Sequence, residues 1–296
     1  MFWAYLGGMA LFLLASAEIE PIQSAEGATN NSSEVMDTRS DENSIDPIAK
    51  RNHNPKFPYI VSIGANSNGY YKHLCMGVII AKEFVLTAAH CIKRPRGSKP
   101  RKLYVAGGSD RLNSFSQTRF FVVSILTHPH FKILGGHDIG IVRVFPRFPL
   151  DNVRFRAIKF QSKERQGGGL KASLLGWGRV TIKMVKILED LSFQTMDNEV
   201  CFRKHRFRFL TSSEICAMHF NGSRGGCDGD SGGPLINLKT EFLYGLLSYT
   251  RKACQPRTPY AFTRISTHSN WIEESMPKML QIRINPGNYT KWKDRQ

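Results

Sequence analysis

A chain of 296 residues with 41% hydrophobic content has enough apolar material for a full core and too little to be membrane-spanning throughout. Its 41 basic and 24 acidic residues leave a net charge of +17, a balance that suits an acidic partner or polyanion, or else a basic soluble surface. With no recognition fold or base-stacking module visible, nucleic acid is excluded as the expected partner.

The first segment, residues 1–17, carries the apolar run Leu6 to Leu14 followed by Ala15-Ser16-Ala17, a small-residue cleavage pattern. It reads as a signal peptide, shorter than the roughly 20 apolar residues of a membrane span. The expectation is a secreted, extracellular protein with no span after cleavage. Residues 18–50 are polar and poor in aromatics, with eight acids against Arg39 and Lys50, so this propeptide or linker carries −6 and the remainder +23. Asn-X-Ser/Thr sequons at Asn30, Asn31, Asn221 and Asn288 make it a candidate glycoprotein.

From residue 51 the pattern becomes short β-branched and aromatic runs broken by Gly, Pro, Asn and Ser. They predict strands over residues 59–63, 77–80, 84–87, 103–106, 120–125 and 139–144, then over 172–176, 191–195, 234–236, 242–249 and 260–265. Many short strands at even spacing mean paired β-barrels or a sandwich. Residues 145–169, with two prolines and Gly167-Gly168-Gly169, read as the crossing between two halves. Residues 266–275 predict a closing helix stopped by Pro277, and residues 276–296 a basic tail after a domain of residues 51–275.

Chemistry concentrates in Gly229-Asp230-Ser231-Gly232-Gly233-Pro234. A serine between glycines on a tight turn projects its hydroxyl and leaves neighbouring N–H groups facing a developing oxyanion. Such a nucleophile needs a base and a group to orient the base. Leu86-Thr87-Ala88-Ala89-His90-Cys91 and His137-Asp138-Ile139-Gly140-Ile141-Val142 offer them, in the order His, Asp, Ser. With Phe57-Pro58-Tyr59-Ile60-Val61-Ser62, Gly176-Trp177-Gly178 and Asn270-Trp271-Ile272, the stretch from about Pro55 to Ser275 resembles the chymotrypsin/trypsin family of serine proteases.

The resemblance implies an all-β fold of two six-stranded antiparallel β-barrels, with the site in the cleft between them and a C-terminal helix. It implies His90 as general base and acid, Asp138 as its orienter, Ser231 as nucleophile, and the N–H groups of Gly229 and Ser231 as oxyanion donors. For the six cysteines it implies the pairs Cys75–Cys91, Cys201–Cys216 and Cys227–Cys254, one of 15 connectivities that the sequence permits. No cofactor or metal is implied, and the remaining histidines read as surface or packing residues because their spacing does not suggest zinc.

Two departures from the family shape the functional expectation. Family members free an Ile-Val-Gly-Gly terminus whose ammonium pairs with the aspartate before the nucleophile, here Asp230; around Ile45-Asp46 no Lys or Arg precedes and no Val-Gly-Gly follows. A cut after Arg51 leaves six residues before Pro58, a tether of at most ~20 Å and too short for that reach. The specificity pocket has Gly225 where trypsin-like members carry an aspartate, followed by Gly226, with Ser248, Thr250 and Tyr260 on its wall and entrance. Tyr260 is expected to lie over the Gly225-Gly226 floor and leave room only for a small side chain. The resulting expectation is a secreted serine endopeptidase of non-tryptic specificity acting on protein or peptide substrates. The alternative is a catalytically silent homologue that binds.

Overall fold

The computed structural model describes residues 54–67, 70–93, 102–112, 114–160, 167–178, 186–207, 210–219, 225–250, 255, 257–285 and 287. The expected leader, the acidic segment, the activation region up to Arg51, all four sequons and Cys254 lie outside them.

The described residues form fourteen strands: β1 (Ile60–Ser67), β2 (Tyr70–Ala81), β3 (Phe84–Thr87), β4 (Leu103–Gly107), β5 (Arg111–Leu112), β6 (Thr118–Thr127), β7 (Gly140–Phe145), β8 (Lys171–Gly176), β9 (Lys186–Ile187), β10 (Glu189–Met196), β11 (Glu214–Met218), β12 (Pro234–Asn237), β13 (Phe242–Thr250) and β14 (Pro259–Arg264). Twelve of them close into two six-stranded antiparallel barrels, in the orders β1-β2-β3-β7-β6-β4 and β10-β11-β14-β13-β12-β8. Closure removes the unpaired edges that strands this short would otherwise expose. β5 and β9 form a separate two-stranded ribbon.

Strand alternation explains how the barrels are filled and joined. Along β7, Val142 and Val144 point into the first barrel with Val61, Val105, Phe120 and Phe155. Ile141, on the opposite face, joins Met76, Leu86, Leu175, Leu246 and Ile272 in a cluster shared by both barrels. The interior of the second barrel is filled by Leu174, Phe193, Ile215, Leu235, Phe262 and the whole ring of Tyr260.

The described residues also form three short α-helices: α1 (Ala89–Ile92), α2 (Asn198–His205) and α3 (Ser269–Leu280). The sequence reading missed α2, and it missed β11, the sixth strand of the second barrel. β11, Glu214-Ile215-Cys216-Ala217-Met218, holds one β-branched residue and no aromatic, so it lacks the run by which the other strands are read. The predicted stop at Pro277 is corrected: α3 begins at Ser269, after a single 3-10 turn over Ile265–Thr267, and runs through Pro277 to Leu280. A proline inside a helix costs about 3 kcal/mol, and here tertiary contacts outweigh it. Ile272, Ser275 and Met279 bury one face, while Arg143 Nη1 donates to the carbonyls of Met279 and Ile282 at 2.8 Å each. The Arg143 side chain is buried and its charge is met by Glu83 at 2.7 Å.

Candidate active site

The site forms where α1, the entry to β7 and the turn before β12 converge. Asp138 is buried and fully subscribed. Its Oδ1 accepts the His90 backbone N–H at 2.9 Å, and its Oδ2 accepts His90 Nδ1–H at 2.6 Å and the Ser248 hydroxyl at 2.6 Å. Thr263 Oγ1 donates to the Asp138 carbonyl at 2.7 Å, so the backbone is held as well. Burial alone pushes this carboxyl up, but the hydrogen bond and charge of His90 together with the Ser248 hydroxyl overcome it and hold the pKa below the ordinary aspartate value. An ionised Asp138 fixes the proton on Nδ1, which leaves His90 Nε2 with its lone pair free to act as a base.

Ser231 sits on a turn pinned from both barrels. Its carbonyl accepts Met76 N–H of β2 at 2.8 Å, while Gly232 N–H and the Gly233 carbonyl each pair with Leu247 of β13 at 2.8 Å. Gly232 has φ +76°, and a Cβ there would meet Thr87 and the Ala88 N–H. Only glycine lets this turn press against the segment that carries His90. Cys75 and Cys91 are bridged, and Cys91 Sγ lies 3.7 Å from both His90 Nε2 and the Ser231 carbonyl oxygen. The imidazole and the serine thus share one disulfide as neighbour. Among the described residues no hydrogen bond joins Ser231 Oγ to His90, and neither the Gly229 nor the Ser231 N–H donates to any acceptor.

Asp230 faces away from solvent. Its carboxylate accepts the N–H groups of Cys227 and Gly178 at 2.8 and 2.9 Å, and a Cβ on Gly176 would stand 2.5 Å from Oδ1. The Gly176-Trp177-Gly178 motif therefore forms the wall of this carboxylate's cage. Among the described residues no cation pairs with it. Desolvation raises its pKa to about 6, only partly offset by the backbone N–H groups.

Sequence reasoning missed His73, which lies buried two positions before Cys75. Its Nε2 donates to the Gly229 carbonyl at 2.9 Å, which obliges Nδ1 to accept, and the Ser62 hydroxyl supplies that proton at 2.7 Å. Burial lowers the His73 pKa to about 4, so this neutral link from β1 to the Gly229 peptide persists at physiological pH. Nothing in its local sequence marks it; only the pairing of β1 with β2 brings Ser62 and His73 together.

The residues expected to line a specificity pocket pack around Tyr260. Tyr260 has no exposed surface, which excludes a solvent-facing ring, and its hydroxyl lies 3.1 Å from the carbonyls of both Gly226 and Gln255. A Cβ on Gly225 would overlap the Tyr260 hydroxyl, and one on Gly226 would crowd its ring. Both glycines are thus spent on accommodating Tyr260. Ser248 faces Asp138, and Thr250 Oγ1 donates to the Pro259 carbonyl at 3.1 Å. Of the remaining expected bridges, Cys201–Cys216 is formed and ties α2 to β11. Cys227 is also disulfide-bonded, and Cys254, its expected partner, lies outside the described residues.

A double antiparallel barrel with a His–Asp pair and a serine turn at the junction defines a class that comparison with known proteins identifies. The family profile described as Trypsin matches residues 48–272, and the chain belongs to that family. Chymotrypsin-2 of Vespa crabro is 31% identical over 222 residues, covering 74% of this chain and 94% of the relative. Granzyme M of Rattus norvegicus is 27% identical over 224 residues, 73% of this chain and 83% of the relative. Among solved structures, neuropsin, a serine protease expressed in the limbic system of mouse brain, aligns with a TM-score of 0.62 at 25% identity, covering 75% of this chain and 95% of that one.

Proposed function

We propose that this protein is a secreted serine endopeptidase that cleaves after small residues. The observation that carries the reading is the 2.6 Å bond from His90 Nδ1 to an ionised, buried Asp138, facing a serine turn with two N–H groups unused among the described residues. In this scheme Ser231 Oγ attacks the scissile carbonyl while His90 Nε2 takes its proton. The Gly229 and Ser231 N–H groups receive the oxyanion, and His90 returns the proton to the leaving amine. Water repeats the sequence to free the acyl group. No cofactor enters. Two disulfides support an oxidising compartment, and none of the helices among the described residues is long and apolar enough to cross a membrane. The charge division between −6 and +23 favours an acidic partner or polyanion alongside the peptide substrate.

A second reading, a homologue that keeps the three residues but binds without cutting, is favoured by the buried Tyr260 and by an Asp230 that meets no cation among the described residues. An active-site-directed fluorophosphonate probe on the secreted protein separates the two. Covalent labelling that disappears in Ser231→Ala supports the peptidase; a folded, unlabelled protein supports the binding homologue.

A further inference from the structure

Histidines far apart in the sequence meet beside Asp138. His128 follows β6, His137 precedes β7, and His268 stands at the start of α3. His137 Nδ1 and His268 Nε2 are 3.1 Å apart, and the His128 and His137 rings stack at 4.6 Å between centroids. One ring nitrogen from each of the three lies within 4.8 Å of the other two. A tetrahedral ion with imidazole nitrogens at about 2.0–2.1 Å requires donors roughly 3.4 Å apart. The His137–His268 pair is already within that distance. His128 and His137 are only partly buried, so their rings can rotate to complete the set.

The surroundings match those of a ligating histidine. His268 is buried, and its Nδ1 lies 2.7 Å from the Arg264 carbonyl. A carbonyl only accepts, so Nδ1 carries the proton and Nε2 turns its lone pair toward the cluster. Burial, followed by repulsion among the rings, lowers the pKa of His128 to about 4, and burial does the same for His268. Both therefore offer neutral imidazoles at physiological pH. The other grouping of comparable donors, Cys75, His90 and Cys91, is unsuitable because its sulfurs are joined in a disulfide.

We infer that His128, His137 and His268 form a binding site for one divalent transition-metal ion, best suited to Zn²⁺, with water in the fourth position. His128 and His137 belong to the first barrel, whereas His268 follows the last strand of the second. An ion held by all three clips the barrels together and raises the stability of the folded state by mass action.

The test uses the intact protein, freed of metal by chelation and titrated with Zn²⁺ against a chromogenic chelator while its melting temperature is followed. One equivalent bound, with a rise of several degrees in Tm, is the expected result. His268→Gln and His137→Asn each weaken binding at least tenfold and abolish the rise, while His205→Gln, on α2, leaves both intact. His137 has φ +55°, a conformation that asparagine tolerates, so His137→Asn decides the matter even where His268→Gln fails to fold. Absence of Zn²⁺ binding at micromolar concentrations, or binding undiminished in His137→Asn, overturns the assignment. Both readouts are independent of peptidase activity.

Discussion

Tyr260 places its hydroxyl 3.1 Å from the Gly226 carbonyl, and it takes the space that a Cβ on Gly225 or Gly226 would enter. Tyr260→Gly is expected to cost about 3–5 kcal/mol of stability and to shift peptide-library cleavage from Ala and Gly toward larger residues at the position before the scissile bond. Tyr260→Phe keeps the ring but leaves the buried Gly226 carbonyl without the hydroxyl donor, at about 1–3 kcal/mol. The preference for small residues should survive it. A dominant Lys or Arg preference in the unaltered protein would defeat the filled-pocket account.

Ser248 and His90 share the same oxygen of Asp138. Replacing Asp138 by Asn reverses the proton arrangement at His90 and is expected to lower kcat about 10⁴-fold. Ser248→Ala removes one of the donors that hold the Asp138 pKa down, with an expected loss of about tenfold in kcat/KM. Asp138 contributes stability above the pKa of an unfolded aspartate and loses it as pH falls through its lower folded value. Denaturant titrations of Ser248→Ala should show that loss beginning at higher pH than in the unaltered protein.

Asp230 has the opposite sign. An unfolded aspartate titrates near 3.9, whereas this one is raised to about 6, so between those values the folded state binds more protons. Stability is expected to fall as pH rises from about 4 to about 6, by about 3 kcal/mol in all. The measurement is the stability difference between the unaltered protein and Asp230→Asn at pH 4 and pH 7.5. A difference that does not change with pH would show that a cation from outside the described residues neutralises Asp230, and N-terminal sequencing of the mature form would then locate it.

The Glu83–Arg143 pair links the first barrel to the end of α3. Glu83→Gln leaves a buried guanidinium without its carboxylate and is expected to destabilise by about 3 kcal/mol. The double replacement Glu83→Met/Arg143→Leu should cost less than the sum of the single changes. Hydrogen exchange should locate the weakening in residues 276–282, because Arg143 holds their carbonyls.

The sequence by itself determined the class of fold and marked out the candidate catalytic residues. Ser231, His90 and Asp138 stand in motifs whose residue types serve a local need: glycines on a tight turn, and a histidine beside a bridged cysteine. β-branched runs such as Ile141-Val142-Arg143-Val144 announce strands, because branched side chains suit the extended backbone. Local rules failed where tertiary contacts set the outcome. β11 forms from Glu-Ile-Cys-Ala-Met, which lacks a β-branched or aromatic run, and α3 continues past Pro277 because packing offsets the proline. The partners of His73 and His268 were decided only by the closed barrels. Each histidine gains its meaning from a partner distant in the chain, as His268 stands 131 positions after His137, and sequence spacing carries no record of that closeness in space.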